Sequence, residues 1–145
     1  MFQRIMVATG GSPWSTHAVD TAIRLAGNLQ QALLIVHVVQ EEPQFQGQVL
    51  DASDPEVREQ LEQSGTAILQ AAAERASEAG IELRTELFWG EIPECIVRTA
   101  QSESCDLIVM GTRHISGDKR LMSGINCNAV LATAPCPVLV VPFSA

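Results

Sequence analysis

The chain has a single lysine, Lys119, and only nine Lys and Arg in all against seventeen Asp and Glu, for a net charge of −8 over 145 residues. Phosphate-backbone contacts need clustered cations, so nucleic acid is excluded as the main partner. The one basic cluster is Arg113, Lys119 and Arg120. It reads either as a solvated turn or as an anion contact. Because Lys119 is followed by Arg120, a phosphate-binding P-loop is missing. Cys95, Cys105, Cys127 and Cys136 form no Cys-x-x-Cys pair, which leaves reduced and mostly packed thiols. His17, His37 and His114 lie far apart without ligand spacing, so no metal centre is expected. Gly10-Gly11-Ser12-Pro13-Trp14 is no nucleophile elbow, since Trp14 stands where a glycine is required. A dinucleotide fingerprint is absent from the first turn, and so are the acidic cluster and lysine of a receiver domain. Nothing marks a conventional enzyme. No apolar run approaches the roughly 20 residues of a membrane span, and a first strand beginning beside Arg4 leaves no room for a signal peptide. These absences predict a cytoplasmic protein.

What is present is an ordinary globular composition, 46% hydrophobic and 18% charged, in a length that suits one domain over residues 1–145. Ile5-Met6-Val7-Ala8 reads as a buried strand. Ser12 caps a helix with Pro13 at its first position, and Ala18, Ala22, Leu25, Ala26 and Leu29 carry its apolar face. Leu33 to Val39 lacks alternation, as a strand buried on both faces does. Gln40 to Ser53 reads as a loop, and Ser53-Asp54-Pro55-Glu56 has the form of a capping box. The helix it opens continues to a stop at Gly80. Ile81 to Phe88 alternates like an edge strand, and Trp89 to Pro93 opens a third helix. Asp106 to Met110 is a buried strand, Gly111 to Gly117 a turn-rich loop, and Ala129, Val130 and Ala132 mark a fourth helix. Val138 to Val141 closes the pattern as a fifth strand. Alternating strands and helices predict an α/β fold, a parallel sheet with helices on both faces. Val7, Ile35, Ile108 and Leu139 are expected in its core.

The C-terminal stretch resembles the universal stress protein family. Its signature there is Gly, two residues, Gly, nine residues, Gly and then Ser or Thr, followed by an Ala-Pro-Cys-Pro-Val-Leu-Val-Val-Pro-type strand. Ala134 to Pro142 match that ending residue for residue, and Gly111 and Gly124 match the first and third glycines. The resemblance implies a Rossmann-like sheet, of the adenine nucleotide alpha hydrolase type, with strand order 3-2-1-4-5. Its switch point lies between strands 1 and 4, where ligands bind in open α/β sheets. Carried over residue by residue, the family's adenine-nucleotide site falls on Ala8, Thr9, Gly10, Val38, Met110, Gly111, Arg113, His114, Gly124, Ile125 and Asn126.

Three of these positions depart from the ATP-binding branch. Gly10 stands in place of Asp, His114 in place of the second glycine, and Ile125 in place of a hydroxyl residue. One lost neutral hydrogen bond and one lost charged one weaken affinity roughly tenfold to a thousandfold. His114 adds about 1 kcal/mol or more where its backbone needs a positive φ. The resemblance therefore implies a non-enzymatic stress-response or regulatory module with weak or absent ATP or AMP binding. The alternative is a nucleotide-dependent switch with slow ATP hydrolysis. His114 reads as a solvated loop histidine or, with Arg113, as an anion contact. Trp14 and Trp89, near loop starts, read as lids on the core or as ligand platforms. Cys127 reads as a packed thiol or as one lowered in pKa by a nearby helix N-terminus. Under that strand order the uncharged run Val138 to Val141 falls at a sheet edge; the resemblance implies that it pairs two copies into a homodimer, the other reading being a monomer whose edge is covered by Phe143-Ser144-Ala145 or a loop.

Overall fold

The structure, a computed structural model, describes residues 2–40, 44–45, 48–49, 51, 53–113 and 125–143. In chain order the elements are β1 (Ile5–Ala8), α1 (Pro13–Leu29), β2 (Leu33–Val39), β3 (Gln44–Phe45), β4 (Gln48–Val49) and α2 (Pro55–Glu78). They continue with β5 (Leu83–Trp89), α3 (Ile92–Ser102), β6 (Leu107–Arg113), α4 (Ile125–Thr133) and β7 (Val138–Phe143). Five strands form one parallel sheet in the order β5-β2-β1-β6-β7. Counting only those five, this is the order 3-2-1-4-5.

Side chains alternate across the central strands, and each face has its own core. On one face Ile5, Val7, Ile35, Leu107 and Val109 meet Ala18, Val19 and Ala22 of α1 and Leu69, Ala72 and Ala76 of α2. On the other, Met6, Leu34, Val36, Ile108 and Met110 meet Cys95, Ile96 and Ala100 of α3 and Cys127 and Val130 of α4. The connection through α1 turns toward β2, whereas the one through α4 turns toward β7. Right-handed crossovers in opposite directions put these helices on opposite faces and open a switch point between β1 and β6.

The helix ends follow the local chemistry. Ser12 caps α1 by accepting the Ser15 N–H at 3.1 Å, with Pro13 at the first position. For α2 the cap is Asp54 rather than Ser53. Its carboxylate accepts the Glu56 N–H at 3.0 Å, while the Ser53 hydroxyl turns back to Asp51 at 2.6 Å. Gly80, at φ 76°, makes the turn after α2.

Several expectations need correction. Within the expected loop of 40–53, Gln44–Phe45 and Gln48–Val49 pair as a short antiparallel hairpin. The third large strand begins at Leu83 and runs through Trp89, because its ladder with β2 extends to Val39. Gly111, Thr112 and Arg113 are strand, not loop, paired with Val141, Pro142 and Phe143. Val7, Ile35 and Ile108 are fully buried, but Leu139 is 39% exposed. An edge strand has one neighbour, and Val141 is the residue of β7 that joins the α1-side core.

Asp106 ties the chain start to the sheet. Its two carboxylate oxygens accept the Gln3 and Arg4 N–H groups at 2.8 and 2.9 Å. Desolvation pulls this carboxyl upward, but those N–H bonds outweigh it and hold the group below its ordinary 3.8. A depressed folded pKa gives stability that is complete above the unfolded value and lost as pH falls through the folded one. Asp106→Asn should therefore be less stable than wild type at pH 7 and lose less on going from pH 4 to pH 2. Denaturant melts across that range check it, and parallel curves for the two proteins would refute it.

Candidate functional site

The C-terminal ends of β2, β1 and β6 carry Val38, Ala8 to Gly10, Met110, Gly111 and Arg113 of the sequence-predicted residues. Ala8 ends β1, and the Thr9 N–H extends the ladder by donating to the Val36 carbonyl at 2.9 Å. Thr9 is buried, as is Ser15 one turn into α1. The Ser15 hydroxyl organises the loop. It lies 3.3 Å from both the Thr9 hydroxyl and the Gly10 nitrogen and 2.9 Å from the Ser12 hydroxyl, with lone pairs to accept from two of the three at a time. It donates to the Ser12 carbonyl at 3.1 Å. The Gly11 N–H turns to the Thr9 hydroxyl at 3.3 Å. The N–H groups of Gly10 and Gly11 are thus held by side chains of the loop itself.

The two glycines differ. Gly11 has φ 83°, and a Cβ there would lie 3.0 Å from Ile68 of α2. Gly10 is exposed, lies outside the positive-φ glycines, and a Cβ on it would meet nothing within 4 Å. Position 10 has room for a side chain and carries none.

Behind the loop, His37 on β2 places Nδ1 2.8 Å from the Thr9 carbonyl. A carbonyl only accepts, so Nδ1 carries the proton and donates. Helix α2 closes over this ring at Gly65, where a Cβ would come within 2.8 Å of both the ring and Leu87. In the sequence His37 is legible only as a histidine without metal-ligand spacing, and Ser15 carries no motif. The signal for Ser15 was its place three residues after the cap, within reach of the first loop.

Val38 and Met110 both pack into the α3–α4 core, so only their backbones reach the sheet edge. Gly111 is explained by packing. A Cβ there would fall on the Trp14 carbonyl, 2.8 Å from its carbon, and 3.2 Å from Ala18. Strand β6 therefore runs hard against the first turn of α1. Arg113 lies at the end of β6 with its guanidinium 5.7 Å from the centre of the Trp14 ring, a cation–π contact. Trp89 has a similar partner in Arg58, at 4.1 Å. Asn126 is exposed in the first turn of α4. His114 and Gly124 lie outside the described residues, as does the side chain of Ile125, and so do Lys119 and Arg120. Cys127 is buried, with its thiol 3.6 Å from the Gly111 carbonyl, and burial pushes its pKa up.

The family model for the universal stress protein family matches residues 1–142. The chain belongs to this family. Universal stress protein YxiE of Bacillus subtilis (strain 168) is 35% identical over 147 residues, spanning 97% of this chain and 99% of the relative. A crystal structure of a universal stress protein family member from Burkholderia pseudomallei superposes with a TM-score of 0.77 at 28% identity, covering 98% of this chain and 97% of that one. A universal stress protein solved in complex with cAMP gives 0.71 at 25% identity, with 97% of each chain covered. As a universal stress protein, the chain carries the Rossmann-like sheet of these neighbours.

Proposed function

We propose that this universal stress protein is a non-enzymatic stress-response module that binds adenine nucleotide weakly or not at all. The observation that carries the reading is Gly10. It sits exposed at the sheet edge, where the ATP-binding pattern has a carboxylate, and offers only hydrogen. The N–H groups of Gly10 and Gly11 are spent on Thr9 and Ser15. The ligand positions of this reading are Ala8, Thr9 and Gly10, the backbones of Val38, Met110 and Gly111, then Arg113, His114, Gly124, Ile125 and Asn126. A second reading is favoured by the relative solved with cAMP. In it the same edge holds ATP or AMP and acts as a switch with slow hydrolysis. Calorimetry with ATP separates the two. The first reading expects no affinity tighter than about 100 μM, some 5–6 kcal/mol of binding free energy. Micromolar affinity, or adenine absorbance in protein purified without added nucleotide, establishes the second.

The module is proposed to work as a cytoplasmic homodimer paired through β7. Among the described residues no helix is long and apolar enough to cross a membrane. Strand β7 pairs with β6 along one edge, and residues 138–141 carry no charge. Leu139 is one of two large exposed apolar residues among those described. A bare apolar edge invites pairing, and a two-fold pairing closes it. Val140 packs against the α3–α4 core, so a charge there would disturb the fold as well as the edge. Leu139→Lys is the cleaner probe and should weaken self-association at least tenfold in sedimentation. A wild type that stays monomeric at tens of micromolar refutes the assembly.

A further inference from the structure

We propose that Cys105 and Cys136 form a peroxide-responsive thiol pair that closes into an intramolecular disulfide. The two residues stand at the N-terminal edge of the sheet, opposite the candidate nucleotide edge. Strands β6 and β7 pair with Ile108 beside Val138, and the Ile108 N–H donates to the Pro137 carbonyl at 3.0 Å. Asp106 and Cys136 stand just before those strands, in the turns that lead into Leu107 and Val138. Asp106 stays in line with the sheet, its N–H bound to the Arg4 carbonyl at 2.9 Å. Neighbouring strands lie about 4.8 Å apart and rise about 3.3 Å per residue. Carried past the strand ends, that spacing puts the Cα atoms of Cys105 and Cys136 about 6 Å apart, within the range a disulfide spans.

Both side chains pack into the α3–α4 core, Cys105 buried and Cys136 half-buried. The other two cysteines share that core but sit at its far end. Cys95 lies 3.9 Å from the Trp89 carbonyl and Cys127 lies 3.6 Å from that of Gly111. Burial pushes the Cys105 thiol up to about 11, and the nearby Cys136 adds to the rise. Burial, then the Asp106 carboxylate, push Cys136 up as well. Few thiolates exist at neutral pH, so closure is slow and answers sustained oxidant.

The oxidant is a hydroperoxide. The more accessible Cys136, as thiolate, attacks a peroxide oxygen, the O–O bond breaks, and the other oxygen leaves as water or an alcohol after taking a proton. Cys136 is then a sulfenic acid. Cys105, as thiolate, attacks its sulfur, forms the S–S bond, and expels hydroxide, which leaves as water with the thiol proton. Two thiols and one peroxide give one disulfide, one water and one alcohol or second water. The link fastens the exit of α3 to the entry of β7 and encloses residues 106–135.

Treatment of the purified protein with excess hydrogen peroxide should lower its free thiols from four to two. Peptide mapping should find one link, Cys105 to Cys136, within a single chain. The oxidised protein should melt at a higher temperature, and dithiothreitol should reverse the change. Cys136→Ser should abolish the link, while Cys95→Ser with Cys127→Ser should retain it. Mapping of the wild type stands even where a variant fails to fold. Four surviving thiols, a link to Cys95 or Cys127, a link between chains, or sulfinic acid at Cys136 without a link would each overturn the proposal.

Discussion

Ile108→Ala should lower the unfolding free energy by about 2–5 kcal/mol, whereas Leu139→Ala should cost about 1 kcal/mol or less. The two residues look alike in sequence, each inside a short branched apolar run. Ile108 is fully buried in β6, with Met6 beside it on β1 and Val138 beside it on β7. It belongs to the core that includes Ile96 of α3 and Val130 of α4. Removing its branched side chain leaves a cavity that close-packed elements on both sides cannot collapse to fill. Leu139 has over a third of its surface open, so truncation there removes little buried area. Urea melts at low protein concentration measure both. A near-neutral Ile108→Ala would undermine the buried-strand assignment. A large loss at Leu139 that grows with protein concentration would instead show a second copy covering that edge.

The contrast between Ile108 and Leu139 marks how far the sequence could be read. The runs 5–8, 33–39 and 107–110 lack alternation, and that is what burial on both faces of a parallel sheet demands. Those strands were legible for that reason. Strand order was not, because side-chain pattern carries face but not neighbour; it came through the resemblance of residues 134–142 to a family. Leu139 was misread because an edge strand can be as apolar as a central one, so composition does not show that one side is open. The extent of β6 was misread because Gly111 looked like a loop residue. Its glycine answers to the Trp14 carbonyl on α1, a long-range contact that leaves no local trace.

At the candidate edge, position was legible and chemistry only in part. Gly10 could be seen as a missing carboxylate directly. The role of Ser15 could not, because its hydroxyl meets Thr9, Gly10 and Ser12 only once the loop is folded. His37 stands out in the sequence only as a histidine without ligand spacing, yet its ring holds the Thr9 carbonyl from the neighbouring strand. Both residues shape the first loop from behind it. A side chain at position 10 thus extends from a backbone already fixed.

That fixed backbone sets the expected result of refilling the site. The triple change Gly10→Asp, His114→Gly and Ile125→Ser should raise ATP affinity by roughly tenfold to a thousandfold, bringing it within range of calorimetry. Gly10→Asp is sterically open, since nothing lies within 4 Å of the new Cβ and the backbone there is outside the left-handed region. The carboxylate supplies a charged acceptor worth about 1.5–3 kcal/mol when it meets a donor on the nucleoside. Ser at 125 supplies a hydroxyl in the first turn of α4, where the helix dipole already favours an anion. A loop phosphate-binding path that needs positive φ is relieved by glycine at 114. Gly10→Asp alone should leave the melting temperature within a few degrees of wild type, which separates a failed site from a failed fold. Gain of affinity in the triple variant, absent from each single one, is the pattern of three groups closing on one ligand. A triple variant that folds like wild type and still binds no ATP would show that this edge does not form a nucleotide site even when its missing groups are restored.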